Sequence, residues 1–158
     1  MKIEGSYPIP APRDAVWQRL FNPDSLARTL PGCEKLEPNG DGSFRGSLKV
    51  GIAAIKGTYA GRLQILDAVP PERYRLKMEG QGKKGFIKGE ALVTLADNAG
   101  ATIVTYSGEA QVGGLMASVG QRLIQGAVKQ NLKQFFDSLA KQFTPESPPR
   151  PSEPGSPS

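Results

Sequence analysis

The residues Gly80-Gln81-Gly82-Lys83-Lys84-Gly85 match the spacing G-x-G-x-x-G, which in dinucleotide-binding proteins brings a pyrophosphate to the start of a helix. That chemistry requires a strand before the glycines and a helix after them. Here alternating apolar and polar residues both precede and follow the motif, which predicts strands on both sides. We therefore interpret the motif as a glycine-rich hairpin with two exposed lysines. A flexible, basic hairpin of this kind could form a lip that touches a membrane or a partner.

The sequence contains no histidine and one cysteine, Cys33. Histidine is the commonest general base and a frequent metal ligand, so its absence excludes the usual catalytic triads and most zinc and non-haem iron sites. A single cysteine excludes an internal disulfide and a thiolate metal cluster. Cys33 has no histidine to form its thiolate, so we interpret it as a packing residue. We expect no catalytic residue, no metal site and no covalent cofactor.

Two carboxylates within predicted strands, Glu90 and Glu109, are the remaining candidates for acid–base chemistry. Alternation places Glu90 on the side of Lys88, and Glu109 on the side of Ser107 and Gln111. Both sides lie opposite the apolar residues of their strands. We therefore expect both carboxylates to face solvent and to form cross-strand pairs.

Three tyrosines differ from these carboxylates, because Tyr59, Tyr74 and Tyr106 fall on the inward-facing sets of three strands. A buried phenol needs a hydrogen-bond partner. In a filled core these hydroxyls would bond to the backbone or to water, whereas in a cavity they would hold a ligand's carbonyl or hydroxyl. The sequence leaves both interpretations open.

The elements that position these side chains follow a simple order of one strand, two short helices, six strands and one long helix. The predicted ranges are a strand at Lys2–Pro10, helices at Pro12–Phe21 and Asp24–Leu30, strands at Cys33–Glu37, Phe44–Val50, Gly57–Leu66, Tyr74–Glu79, Ile87–Leu95 and Ala101–Val112, and a helix from about Gly114 to Gln142. Asn22 before Pro23 is a helix cap, and Asn39-Gly40-Asp41-Gly42 is a hairpin turn.

An antiparallel sheet buries one face, and the long C-terminal helix is the element large enough to cover it. Leu115, Val119 and Leu123 begin its apolar stripe, at steps of four residues. Small residues on the helix, such as Gly120 and Gly126, would leave a gap between helix and sheet, so the chain is predicted to hold an apolar molecule. The predicted wall of that gap is Phe44, Leu48, Tyr59, Leu63, Tyr74, Leu76, Met78, Ile87, Tyr106, Met116, Leu123 and Ala127, with Leu26 and Leu30 capping the mouth.

Length and charge bound the remaining possibilities. A chain of 158 residues fits one domain, which we place at residues 1–143, followed by a disordered proline- and serine-rich tail at 144–158. The net charge of +5 has no cluster interleaved with exposed aromatics, so we expect no nucleic-acid partner. Solvated surface charge is the simpler interpretation, with weak attraction to an anionic lipid surface as the alternative. The sequence lacks a signal peptide and a spanning segment, which predicts a cytoplasmic protein.

Three stretches carry a resemblance to a known family. They are Leu30-Pro31-Gly32-Cys33-Glu34-Lys35-Leu36, then Ile55-Lys56-Gly57-Thr58-Tyr59-Ala60-Gly61-Arg62, and the segment from Gly108 through Gly113-Gly114-Leu115-Met116 to Ile124. Over residues 1 to 142 the chain resembles the CoxG family of the START/SRPBCC helix-grip superfamily, whose members are similar to the G subunit of carbon monoxide dehydrogenase. The resemblance implies an α+β fold, in which a curved seven-stranded antiparallel sheet wraps around the long C-terminal helix and two short helices follow the first strand.

The resemblance also implies a function. Members of this family look like non-catalytic accessory proteins of carbon monoxide dehydrogenase-type molybdenum hydroxylases, which carry a quinone or other lipid or help the enzyme reach the membrane. A bound quinone or lipid, a molybdenum-containing dehydrogenase as partner and a transient contact with the inner face of the cytoplasmic membrane are therefore expected. Two alternatives stay open: a small-molecule cyclase or hydrolase that uses a tyrosine as acid, and an assembly or membrane-recruitment factor for the dehydrogenase.

Overall fold

The structure is a computed structural model that describes residues 1–51 and 55–143. Its strands are β1 (Lys2–Ile9), β2 (Cys33–Pro38), β3 (Ser43–Val50), β4 (Gly57–Val69), β5 (Arg73–Gly82), β6 (Gly85–Asn98) and β7 (Ala101–Gly113). Its helices are α1 (Arg13–Leu20), α2 (Pro23–Thr29), α3 (Leu115–Ser118) and α4 (Gln121–Lys141). The predicted order of elements is confirmed, with β4, β5 and β6 longer than expected. The predicted tail at 144–158 lies outside the described residues.

The strands form one antiparallel seven-stranded sheet in the order β1-β7-β6-β5-β4-β3-β2. Strands β2 to β7 are a meander, in which each strand pairs with the next one along the chain. The first strand instead crosses to pair with the last, so that Tyr7 faces Val104. The meander gives the sheet two ends, and turns between successive strands lie at alternate ends.

The two short helices occupy the connection between β1 and β2. The predicted cap of α2 is confirmed, because the side-chain oxygen of Asn22 accepts hydrogen bonds from the amides of Asp24 at 2.9 Å and Ser25 at 3.1 Å. Pro23 occupies the first turn, where its missing amide costs nothing. Two short helices fixed in this way close one end of the sheet.

The C-terminal helical segment differs from the prediction of a single helix. The chain breaks at Gly120, whose φ of 108° is a left-handed conformation that favours glycine. The residues before the break form only the four-residue helix α3. As a result Leu115 is 65% exposed and Leu123 is 47% exposed, so these two positions of the predicted stripe do not face the sheet. Phe135 and Leu139, which continue the same steps of four, are buried as predicted.

The apolar interior is divided into two clusters. The larger one, here called the aromatic cluster, lies between α1, α2, the C-terminal half of α4 and the sheet, and contains Trp17, Tyr74, Tyr106, Phe135 and Phe136. The smaller one, here called the second cluster, consists of Ile55, Tyr59, Met116 and Ile124 and lies at the N-terminal end of α4.

A polar network ties the end of α4 to the two short helices. The Gln142 side chain accepts a hydrogen bond from Arg19 at 2.6 Å and donates one to the Thr29 hydroxyl at 2.7 Å. The Ser25 hydroxyl donates to the same side-chain oxygen of Gln142 at 3.4 Å. These bonds hold α2 in place over the aromatic cluster. Among the described residues, no helix has the length and apolar character needed to cross a membrane.

Candidate functional site

A row of apolar side chains crosses the middle of the sheet on the face that α4 covers. Phe44 of β3 pairs with Leu63 of β4, which pairs with Met78 of β5. Alternation in the same strands places Leu48 and Leu76 on this face. The sequence predicted all of these residues for the wall of a cavity, and the structure brings them onto one surface.

The floor between these side chains is bare, because glycines line up across the strands. Gly61 pairs with Gly46 on one side and with Gly80 on the other. A Cβ atom added to Gly61 would meet only the backbone oxygens of Glu79 at 3.4 Å and Gly46 at 3.9 Å, and one added to Gly80 would meet only Ile87 at 3.4 Å. These are contacts within the sheet, so no described atom of α4 lies within 4 Å of the added carbons. We call this open surface, from Phe44 to Met78, the trough.

The walls of the trough are only partly covered. Met78 is 42% exposed, and Phe44, Leu48 and Leu63 are half-buried. Among the described residues these four belong to neither of the two buried clusters. Each carries apolar surface that a bound apolar molecule would remove from water.

At the closed end of the trough, Tyr74 lies among aromatic rings and is 6% exposed. Its ring packs edge-on against Trp17 at 5.5 Å and Phe21 at 5.0 Å. Burial raises the pKa of Tyr74, and its hydroxyl forms no hydrogen bond with any described residue. A buried hydroxyl without a partner costs about 1–3 kcal/mol, so Tyr74 provides a donor that a ligand oxygen could satisfy.

The other two predicted tyrosines are already used by the fold. The Tyr59 hydroxyl donates to the backbone oxygen of Ile55 at 2.6 Å, and burial raises its pKa. Tyr106 stacks parallel to Phe136 at 5.9 Å and to Tyr7 at 6.2 Å. Burial and the neighbouring Tyr7 hydroxyl raise the pKa of Tyr106 to about 12. Tyr7 was not among the predicted wall residues, although the alternation of β1 places it inward.

The helical residues predicted to line the wall differ in how far they are buried. Met116 is buried in the second cluster, beside the half-buried Ala127 and Ile87. Leu123 departs from the prediction, since the break at Gly120 shifts the register of α4 and Ile124 takes the inward position with an exposure of 1%.

The two residues predicted to cap the mouth lie at the end of the trough that α2 covers. Leu26 is buried and Leu30 is half-buried, and both pack against the aromatic cluster. The hydrogen bonds of Gln142 hold their helix at that end.

The remaining reactive side chains lie outside the trough, as the sequence predicted. Glu90 is exposed and binds Arg75 at 2.8 Å, and Glu109 is exposed opposite it on the next strand. Cys33 is half-buried, and burial raises its pKa. This favours the unreactive thiol.

A second depression, of about 550 Å³, separates α2 from α4. Its rim is largely polar and includes Arg28, Thr29, Asp137 and Lys141. It is open to solvent and mostly polar, although Ala27, Leu30 and Pro31 contribute to its lining, so it does not suit an apolar ligand.

Comparisons with known proteins agree with this fold. The model of the CoxG family, described as the G subunit of carbon monoxide dehydrogenase, matches residues 5–144. A conserved protein from Geobacillus kaustophilus, whose crystal structure is known, is 34% identical with a TM-score of 0.86, and the match covers 90% of this chain and 94% of that one.

More distant structures share the fold alone. Protein CV1439 from Chromobacterium violaceum is 18% identical with a TM-score of 0.73, covering 92% of this chain and 98% of that one. The Mll3558 protein from Rhizobium loti is 15% identical with a TM-score of 0.72, and the match covers 90% of this chain and 96% of that one. No curated protein matches the sequence. The predicted helix-grip fold, a curved seven-stranded sheet around a C-terminal helix, is confirmed.

Proposed function

The chain belongs to the CoxG family, and we propose that it is a non-catalytic carrier that binds a hydrophobic ligand in the trough between the sheet and α4. The observation that carries this proposal is the bare floor at Gly61 and Gly80. A folded protein closes apolar space unless something else occupies it, because packing density in protein interiors is uniformly high.

The trough suits a ligand with a long apolar part. Covering the exposed surface of Phe44, Leu63 and Met78 would contribute about 25 cal/mol for each Å² removed from water, less the ordering costs of binding. The floor runs across three strands without a charged side chain on its inner face. An isoprenoid or acyl chain could therefore lie along it.

The closed end suits a carbonyl group. The free hydroxyl of Tyr74 would donate a hydrogen bond to a ligand oxygen, while the rings of Trp17 and Phe21 would pack against a flat head group. These two features together describe a quinone with an isoprenoid tail. Another lipid with a carbonyl head would use the same contacts.

The family description links the protein to carbon monoxide dehydrogenase. We propose that it serves a molybdenum hydroxylase of this type, or a related oxidoreductase, as an accessory protein that supplies or removes an apolar electron acceptor. A non-catalytic role is consistent with the positions of Glu90 and Glu109 on the opposite face of the sheet and with the raised pKa of Cys33.

The sole tryptophan, Trp17, offers a direct test, since it contacts Tyr74 and a bound quinone should quench its fluorescence. Titration with a short-chain ubiquinone should give saturable quenching. Gly61→Leu should fill the floor and weaken binding at least tenfold. Its matched control, Ala60→Leu, is the exposed neighbour on the other face of β4 and should leave the affinity unchanged.

The role of Tyr74 is tested separately by Tyr74→Phe, which keeps the ring and removes the hydroxyl. We expect the affinity to fall about fivefold, which corresponds to about 1 kcal/mol for one hydrogen bond. An unchanged affinity would mean that the Tyr74 hydroxyl does not bind the ligand. If the wild type shows no saturable quenching, or if Gly61→Leu binds as tightly as Ala60→Leu, the trough does not bind quinones.

A further inference from the structure

The bare floor of the trough ends at the ring of Tyr59. Beyond Tyr74, four positions of β5 share the inward face, and these are Leu76, Met78, Gly80 and Gly82. A Cβ atom added to Gly80 would meet one side chain of the sheet, at 3.4 Å. One added to Gly82 would meet the Tyr59 ring and the backbone oxygen of Thr58, both at 2.9 Å. The Tyr59 ring therefore lies over Gly82, and the open floor stops two residues before it.

The surrounding fold holds Tyr59 in this position. Its hydroxyl donates to the backbone oxygen of Ile55 at 2.6 Å, and the residue is 4% exposed. The helical residues of the same cluster, Met116 and Ile124, are 4% and 1% exposed. A ring that is bonded at its tip and packed in a cluster can move aside only if these contacts are lost. Tyr59 is therefore a fixed end wall.

Small residues of β6 continue the floor between this wall and the closed end of the trough. Met78 pairs with Gly89, which has no side chain to stand above the sheet. Leu76 pairs with Ala91. Met78 is 42% exposed, so an apolar chain that lay along these positions would remove its surface from water.

Strand geometry gives the length of this floor. From Leu76 to Gly80 the chain advances by four residues, which is about 13 Å at about 3.3 Å per residue. An extended hydrocarbon chain advances by roughly 1.3 Å per carbon, because its bonds of about 1.5 Å follow a zigzag. The floor between the closed end and the Tyr59 ring therefore has room for about ten carbons.

We propose that Tyr59 sets a length limit on the ligand, so that the trough encloses an apolar tail of about ten carbons and no more. The inference rests on the proposed function, because it specifies which part of a hydrophobic ligand the trough holds. With a head group at Tyr74, a tail of this length fills the floor up to the ring. Further carbons leave the floor at the ring and gain no burial from it.

The test is a series of ubiquinone analogues that share one head group and carry saturated tails of increasing length. Quenching of Trp17 fluorescence gives each affinity, at concentrations below those at which the analogue forms micelles. Up to about ten carbons, each added methylene should strengthen binding by up to about fourfold, which corresponds to about 0.8 kcal/mol. Beyond that length the affinity should stay constant.

Gly80→Val moves the end of the floor without changing Tyr59 or the closed end. A branched side chain suits an extended strand and fills the last bare position. The affinity should therefore stop rising two residues, or about five carbons, earlier, while the shortest analogue binds as it does to the wild type. The matched control, Gln81→Val, changes the exposed neighbour on the other face of β5 and should keep the wild-type dependence on length.

Tyr59→Leu tests the opposite change, because it removes the ring over Gly82. In a variant shown by thermal unfolding to be folded, the rise in affinity should extend by about five carbons. The length limit is wrong if wild-type affinity keeps rising past the predicted length, or if Gly80→Val and Gln81→Val give the same profile. Equal affinity for every tail would overturn the limit while leaving quinone binding intact. Absence of saturable quenching by any analogue would overturn the carrier function and the length limit with it.

Discussion

The two halves of α4 face the same sheet but close it very differently. The C-terminal half packs Phe135, Phe136 and Leu139 at exposures of 6%, 6% and 1%. The N-terminal half buries one side chain of the helix, Ile124 at an exposure of 1%, and the floor of the trough beyond it is bare. One half therefore has the density of a protein core, and the other has open apolar space.

The difference shows which side chains hold the fold and which are available for binding. Phe136 stacks on Tyr7 at 4.7 Å and meets Phe135 edge-on at 5.0 Å, and such ring contacts add to the free energy of burial. The glycine row of the trough contributes no side chain to packing. Stability should depend on the packed half, and ligand affinity on the open one.

The largest expected effect comes from matched truncations in the two halves. Phe136→Ala should lower the free energy of unfolding by about 3–5 kcal/mol, the usual cost of removing a buried phenylalanine. Phe44→Ala removes the same group from the trough, where it is half-buried, and should cost about 1 kcal/mol for the smaller area lost. Urea denaturation measures both values. Equal losses would mean that the trough is as well packed as the aromatic cluster.

The second effect is a loss of stability in alkaline solution, which should come from the packed half. The pKa of Tyr106 is about 12 in the folded protein against an ordinary value of 10. The folded state thus favours the neutral phenol, and this contribution is fully present below pH 10. It is lost as the pH rises from 10 to 12, by about 2–3 kcal/mol.

Tyr106→Phe removes one of the buried phenols and should make the loss of stability above pH 10 shallower than in the wild type. Tyr59 and Tyr74, whose pKa values are also raised by burial, keep the remainder of the loss. Phe44→Ala serves as the control, because the trough substitution changes no titrating residue and should keep the wild-type slope. If a Tyr106→Phe variant loses stability above pH 10 as steeply as the wild type, groups other than Tyr106 cause that loss.

The third and smallest effect tests whether the open half tolerates added bulk. Ala127→Trp should fill space beside the trough and weaken quinone binding about tenfold, without unfolding the protein. Circular dichroism and a binding assay independent of tryptophan fluorescence, such as equilibrium dialysis, measure the two properties. If the variant unfolds outright, Ala127 belongs to a packed core and the open space does not extend to it.

Local patterns in the sequence determined the fold. The alternation of apolar and polar residues with period two placed each strand. The same alternation also fixed which side chains face inward, as it did for Phe44 in β3 and Leu63 in β4. Asn22-Pro23 marked the start of α2, because a cap depends on neighbouring residues alone. The solvent-facing positions of Glu90 and Glu109 followed from the same alternation. The family was recognised from contiguous stretches of residues.

Tertiary structure alone decided how far the sheet is covered. Alternation could not distinguish the satisfied hydroxyl of Tyr59 from the free one of Tyr74, because it predicts the face that a side chain occupies and not what its hydroxyl meets. Tyr59 bonds to the backbone of Ile55 four residues away, whereas the ring of Tyr74 packs against Trp17. The break at Gly120 depends on the φ angle of one residue, and a periodic apolar stripe carries no information about that angle. The sequence pattern therefore predicted that Leu123 faces inward. The trough itself exists because Gly61 and Gly80 align across β4 and β5, whereas an added Cβ at the neighbouring Gly46 would meet the backbone of Lys35. That alignment is set by strand register, which joins residues far apart in the chain and leaves no local signal.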